Sequence, residues 1–241
     1  MSEEITYLAE HISTIGKNFI FIDTCSFLDI LRIPYRSNNV KNAALQINGY
    51  KLLRDSLQEK NIILVTQELV LHELKNHRPN VEHELFTELE NLSLRLDICH
   101  TCRVLESQLL TKSYIDNFKN ELILLLDEIL SYGLILKMDD SCDLRGLRRT
   151  MACTPPAKKG KSADDCRIYE HFLELAFQCR KQNFAGSITF LSSNTKDYGK
   201  PSEGLIQEDE NRLDFTYHRH IAGALKHIIN DLSPQGLYVR L

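Results

Sequence analysis

Three apolar runs in this chain lead to acids, and that placement limits the possible folds more than any other feature. Asp23 directly follows Phe19-Ile20-Phe21-Ile22. Asp197 lies just past Ile188-Thr189-Phe190-Leu191, and Glu73 follows a third run, Ile62-Ile63-Leu64-Val65. A fourth acid, Asp165, opens a predicted helix. An ionised carboxylate is costly at the end of a buried strand unless it is paired or bound to a cation. Strands lying side by side bring such acids to one edge of the sheet. Converged carboxylates form a hard-metal site, and a hard-metal site points to phosphate chemistry.

The runs are short and rich in β-branched and aromatic residues, which favours strands over helices. Residues 18–23, 62–65 and 188–191 read as buried strands, with 134–136 as a further candidate and 237–239 as a final edge strand. Helices are predicted over 24–33, ending near Pro34, and over 40–59. Another follows Thr66 to about His77, before Pro79, with Leu69, Val70, Glu73 and Leu74 at helical spacing. Ser162 is a candidate N-cap for a helix over 163–182. Residues 218–231 read as the closing helix. Residues 81–97 and 104–131 read as two longer helices, a helical insertion at 81–133 on a smaller core. Residues 139–161, with Pro155-Pro156, two glycines and many charges, read as a loop, as does the polar stretch 199–211. Alternating buried strands and helices imply a mostly parallel sheet covered on both faces. Ligands bind such sheets beyond the carboxyl ends of the strands, where Asp23 and Asp197 fall.

Each motif also has a bland explanation. Asp23-Thr24-Cys25-Ser26 suits a helix N-cap. Glu68 lies in a first turn, where an acid suits the helix dipole, so Glu73 is the better ligand candidate. The dipole also accounts for Asp164 and Asp165, and turns commonly contain Ser, Asn and Asp. Taken together, four chance caps would not be expected at matching edges of one sheet. Two carboxylates 4 Å apart repel by about 4 kcal/mol at an effective dielectric of ~20. Several converging ones need a cation or raised pKa values.

Four segments carry a family resemblance: Phe21-Ile22-Asp23-Thr24, Leu71-His72-Glu73-Leu74, Asp165-Cys166-Arg167-Ile168 and Ser192-Ser193-Asn194-Thr195-Lys196-Asp197-Tyr198. Their order and spacing resemble those of PIN-domain nucleases, in particular the larger bacterial members with a helical insertion. The resemblance implies one PIN-like domain over 1–241, a three-layer α/β/α fold with a short parallel central sheet. It implies one or two Mg²⁺ or Mn²⁺ ions held by Asp23, Glu73, Asp165 and Asp197, with Asp164 competing with Asp165 as the third ligand. Thr24, Ser193 and Asn194 would support the site. The implied activity is an endoribonuclease whose metal-activated water cleaves single-stranded RNA, leaving a 5′-phosphate and a 3′-hydroxyl. A toxin or phage-defence role follows from the same resemblance, with a regulatory protein or a homodimer docking on the insertion. A non-catalytic RNA- or protein-binding scaffold and a structure-selective DNA nuclease are the alternatives.

Arg145, Arg148, Arg149, Lys158, Lys159 and Lys161 cluster just before Asp164. They are either solvated surface or phosphate contacts. No aromatic residue interleaves them, so base stacking would fall to Tyr198, Tyr217 or His218. The net charge of −4 does not exclude nucleic acid, since an acidic metal cluster lowers the total. Seven cysteines, an odd number, read as reduced thiols, and Cys99-x-x-Cys102 lacks the second pair a zinc site needs. No apolar run is long enough to span a membrane, and the acidic N-terminus does not read as a signal. A cytoplasmic protein is expected.

Overall fold

The fold is that of a computed structural model describing residues 2–102, 112–157 and 162–232. Its centre is a six-stranded sheet. In chain order the strands are β1 (Ser2–Glu3), β2 (Phe19–Ile22), β3 (Ile63–Gln67), β4 (Leu134–Leu136), β5 (Ile188–Leu191) and β6 (Thr216–His218). They lie in the order β1-β4-β3-β2-β5-β6, and every pair is parallel. All residues of β2, β3 and β5 are buried. That explains why these strands read as continuous apolar runs rather than as alternating ones.

Nine helices among the described residues cover the sheet: α1 (Ile5–Ile15), α2 (Thr24–Arg36), α3 (Val40–Gln58), α4 (Glu68–Thr101), α5 (Lys112–Ser131), α6 (Asp140–Met151), α7 (Ala163–Lys181), α8 (Gln207–Leu213) and α9 (Ile221–Leu232). Helix α7 packs with α1, α6 and α8, whereas α2, α3, α4, α5 and α9 pack among themselves. The result is three α/β/α layers. Between α7 and the sheet lies an aromatic cluster. Phe21 and Phe190 of the strands meet Phe172 of α7 at ring-centroid distances of 5.4 and 4.8 Å. Burying each such ring contributes about 1.5–3 kcal/mol.

The connections place the site. From β2 the chain steps to β3 and β4 on one side, and from β5 to β6 on the other. The direction reverses between β2 and β5, so the crevice beyond their carboxyl ends is a topological switch point.

Several sequence-based boundaries are corrected. Thr66 does not cap a helix: it lies inside β3, and α4 begins at Glu68. Neither Pro34 nor Pro79 ends its helix. A proline inside a helix costs about 3 kcal/mol. In α4 the buried stripe Val70, Leu74, Val81, Leu85 and Leu89 runs past Pro79 and offsets that cost. The helix after β3 and the first insertion helix are therefore one helix. Residues 140–151, expected as loop, form α6. Asp139 caps it by accepting from the Ser141 and Cys142 amides at 2.9 and 3.0 Å. Its many charges hid the helix because its buried face is small, only Cys142 and Gly146 being buried. Residues 207–211, expected as loop, belong to α8, and the closing helix begins at Ile221 rather than 218, His218 ending β6; α1 and β1 had no sequence-based counterpart. The expected strand at 237–239 lies outside the described residues.

Helix α6 lies against α7 because residue 146 lacks a side chain. A Cβ on Gly146 would sit 2.8 Å from Arg167 Cα and 2.9 Å from its backbone nitrogen. The neighbouring Arg167 guanidinium forks onto Asp143, both bonds being 2.9 Å. Gly146→Ala is therefore expected to push α6 off α7 and destabilise the fold by about 1–3 kcal/mol, the range for overpacking. Urea unfolding at constant m-value would measure it. A wild-type midpoint would show that the two helices separate freely.

Candidate active site

Asp23 is the residue between β2 and α2. Its amide donates to Leu191 O on β5 at 3.0 Å, continuing the ladder, while its side chain turns to cap α2. Oδ1 accepts from the Thr24 amide and Oδ2 from the Ser192 hydroxyl, both at 2.6 Å. The side chain is 1% exposed. The capping explanation is thus correct for Asp23, but it does not account for what surrounds the cap.

Glu73 reaches the same crevice from α4. Its Oε2 accepts from the Thr24 hydroxyl at 2.5 Å. Thr24 therefore bridges two acids, its amide bonding Asp23 and its hydroxyl bonding Glu73. Asp165 arrives from the first turn of α7, and Asp197 from the loop after β5. The Asn194 amide nitrogen joins them, donating to Asp165 Oδ1 at 3.0 Å and to Asp197 Oδ2 at 2.9 Å. Tyr198 pins the arrangement from below, its hydroxyl donating to the Asp165 carbonyl at 3.2 Å. Tyr217 donates to the Ser192 and Gly199 carbonyls, holding both ends of the loop. Tyr198 is fully buried and Tyr217 is 4% exposed, so neither can stack on a base. The His218 ring is partly buried, with Nε2 enclosed and unpartnered, which also argues against stacking there.

Charge crowding at this edge is large. Burial, then the Asp165 and Glu73 charges, push Asp23 up to about 8 against the bonds from Ser192 and Thr24. Burial and the charges of Asp197 and Glu73 push Asp165 up to about 7, against bonds from Asn194 and Ser162. Burial and Asp164 raise Glu73. Cys25 beside them is pushed up too, by burial and by Asp23 and Asp165, so it is not a thiolate nucleophile.

The two adjacent acids of α7 separate clearly. Asp165 faces Asn194, whereas Asp164 is exposed and pairs with Arg167 at 3.1 Å. Asp164 is therefore a peripheral charge near Glu73 rather than a member of the hydrogen-bonded set. Glu68 is structural, as expected: the Ser2 side chain and the Met138 amide hydrogen-bond it and hold its carboxyl below the usual range.

The basic cluster does not form a free loop. Arg145 pairs with Glu170 and Glu174, and Arg149 with Glu170 and Asp209. Their charges are neutralised by acids of α7 and α8. Arg148 is exposed, while Lys158, Lys159 and Lys161 lie outside the described residues.

Two contributors escaped the sequence reading. Ser192, not Ser193, touches Asp23, because the first residue past β5 lies beside the first residue past β2. The register Ile22↔Leu191 contains that signal, but only once the strands are known to be neighbours. Gln67 is the other. Phe21 pairs with Val65, so two residues further on Gln67 falls level with Asp23. It is fully buried, and neither polar atom of its amide has a hydrogen-bond partner.

The PIN domain family model matches residues 20–198, well over half of the chain. The chain belongs to the PIN domain family. The match runs from β2 through Tyr198 and so takes in all four acids. No curated protein and no solved structure matches the chain significantly. PIN domains are generally nucleases that use divalent metal ions on nucleic-acid substrates. No helix among the described residues is long and apolar enough to cross a membrane.

The donor set suits a hard divalent cation: carboxylate oxygens, with hydroxyls and amides around them. The orphaned Gln67 amide adds buried polar atoms that a hydrated ion could satisfy. Among the described residues no three such groups close tightly enough to hold an ion by themselves. Mg²⁺ fits that spacing, since it commonly keeps several waters and takes only one or two carboxylates.

Proposed function

We propose that this protein is a metal-dependent endoribonuclease. The observation that carries the reading is the convergence of Asp23, Glu73, Asp165 and Asp197 at the carboxyl edge of β2 and β5. Asp23, Glu73, Asp165 and Asp197 would hold Mg²⁺ or Mn²⁺, with Asp164 as an outlying charge. The bound ion would lower the pKa of a water and offset charge on the phosphate during in-line attack. Thr24 fixes the Asp23 and Glu73 carboxylates together, its amide donating to the first and its hydroxyl to the second. Ser192 fixes Asp23 from the other side, and Asn194 spaces Asp165 from Asp197. Ser193 holds the loop rather than the acids, its amide donating to the Ser26 hydroxyl at 3.0 Å. This scaffold holds the ligands before substrate arrives, which is what positioning catalysis requires.

RNA as substrate, and a toxin or phage-defence role, are part of this proposal and come from the family resemblance. The insertion supports a protein partner: Leu94 and Ile98 of α4 and Tyr114 of α5 are 59, 54 and 65% exposed. The deciding test incubates the protein with labelled single-stranded RNA or DNA and Mn²⁺, Mg²⁺ or EDTA. Metal-dependent cleavage of RNA to 5′-phosphate products is expected. Binding of RNA that is equal in metal and EDTA, without cleavage, would instead favour a scaffold. Cleavage of DNA alone would shift the substrate.

A further inference from the structure

A cavity of about 190 Å³ opens between α2, α3 and the start of α9. It is lined by Arg32, Arg36, Arg219, His220, Asn42 and Gln46, with Asp29 as the one acid. Arg36 is already engaged by Glu84 at 3.0 Å. Arg32 is different: its Nε is buried and has no hydrogen-bond partner. A buried guanidinium donor without a partner is unfavourable, and phosphate matches its planar fork. Helix α9 points its N-terminus to the same place, its Ala222 amide lying 3.5 Å from the Gln46 side-chain oxygen. The Ala222, Gly223 and Ala224 amides already donate, to the Gln46 side chain and the His220 carbonyl, so it is the positive end of the helix dipole that favours an anion there.

The cavity is joined to the acid site. Asp29 and Tyr50 both line the cavity. The Ser193 amide donates to the Ser26 hydroxyl at 3.0 Å, and Tyr50 from α3 donates to the Ser26 carbonyl at 2.5 Å. Two hydrogen bonds through Ser26 thus separate the wall of the cavity from the loop that carries Asn194.

We propose that this cavity is a phosphate subsite for the nucleic-acid strand, in which Arg32 and Arg219 clamp a backbone phosphate flanking the one that is cleaved. The proposal rests on the nuclease reading above. It gives the strand a second anchor beside the acids, which themselves repel phosphate until a cation is bound. Arg145 and Arg149 cannot supply that anchor, because carboxylates already neutralise them.

The test uses Arg32→Gln, Arg32→Lys and Arg219→Gln. Binding of fluorescein-labelled single-stranded RNA is followed by anisotropy in EDTA over a salt series. Cleavage is followed with Mn²⁺ on the same RNA and on bis(4-nitrophenyl) phosphate, a diester with no second phosphate for the cavity to hold. Each Gln variant is expected to reduce the salt slope by about 0.7, the value for one lost contact on a single strand. KM for RNA should rise about tenfold, as for a lost charge-assisted bidentate contact, with turnover of the small diester unchanged. Arg32→Lys should recover only part of the loss, since an ammonium is a point charge. Wild-type slopes and KM values in both Gln variants would overturn the subsite and leave the nuclease intact. If the wild type cleaves neither substrate, the nuclease reading fails, and the binding series still decides the subsite. Circular and 5′-hydroxyl strands separate the two sources of phosphate. A loss seen only with 5′-phosphorylated strands would overturn the flanking-phosphate assignment in favour of a terminal one. Should Arg32→Gln fail to fold, Arg219→Gln decides alone, because Arg219 is exposed.

Discussion

Asp23→Asn is expected to abolish hydrolysis while leaving the metal-free protein at least as stable as the wild type. The two halves of that result have one cause. Asp23 is 1% exposed and faces Asp165 and Glu73, so in the absence of a cation folding must either bury its negative charge or take up a proton there, and both oppose it. An amide of the same shape keeps an oxygen for the Thr24 amide, so the cap of α2 survives. Its NH₂ meets the Ser192 hydroxyl, which can accept. What disappears is a charged ligand. Removing groups that merely orient metal ligands typically costs 10–100-fold, so loss of a ligand should cost more than about 100-fold in activity. The measurement is a thermal melt in EDTA and in Mn²⁺, beside an RNA cleavage assay. Wild-type Tm should climb with Mn²⁺, by the equivalent of about 2.7 kcal/mol at a concentration 100 times Kd. The variant should lose most of that climb. A variant that melts far below wild type in EDTA would show that the carboxylate is needed as a cap. An undiminished Mn²⁺ shift would remove Asp23 from the ligand set.

The sequence revealed the centre of this fold better than its periphery, for a physical reason. Strands buried on both faces must be apolar throughout, so β2, β3 and β5 could be seen as runs without knowing their neighbours. Strands β1 and β6 have two and three residues, too few for a period to register. Helix α6 buries only Cys142 and Gly146, so its pattern is that of a charged loop. Pro79 suggested a break because local propensity opposes it, but tertiary packing along α4 overrides that preference. The acids were legible because each is anomalous where it stands. Their partners were not. Ser192 differs from Ser193 only by which side of the crevice it faces, and Gln67 is a polar residue in a strand like many others. Asp164 and Asp165 could be told apart only by the rotation of α7 about its axis. Distances across the sheet decide such questions, and residue spacing along the chain does not contain them.

Asn194→Asp is expected to be the most destabilising conservative change in the protein without metal, and the most strongly rescued by metal. The Asn194 amide nitrogen stands 3.0 Å from one carboxylate oxygen of Asp165 and 2.9 Å from one of Asp197. It does part of a cation's work, presenting positive N–H ends to two acids that would otherwise face each other. A carboxylate in its place reverses the sign of both contacts. At an effective dielectric of ~20, each like-charge pair near 4 Å costs about 4 kcal/mol before any proton is taken up. Asn194→Ala loses the two bonds without adding charge, at about 1.5–3 kcal/mol for each bond to a charged group. The expected order of metal-free stability is wild type, then Ala, then Asp. Adding Mn²⁺ should reverse part of it, since the Asp variant offers one more oxygen ligand and has the most repulsion to relieve. Melting curves of the three proteins across a Mn²⁺ titration measure this directly. The Asp variant should show the largest cation-induced rise in Tm and the Ala variant the smallest. Equal metal-free stabilities for the Asp variant and the wild type would mean that Asp165 and Asp197 are not both charged beside position 194. Since burial and its neighbours already raise Asp165 to about 7, that result would be proton uptake. It is a Mn²⁺-induced rise no larger in the Asp variant than in the Ala variant that would remove the case for a cation between them.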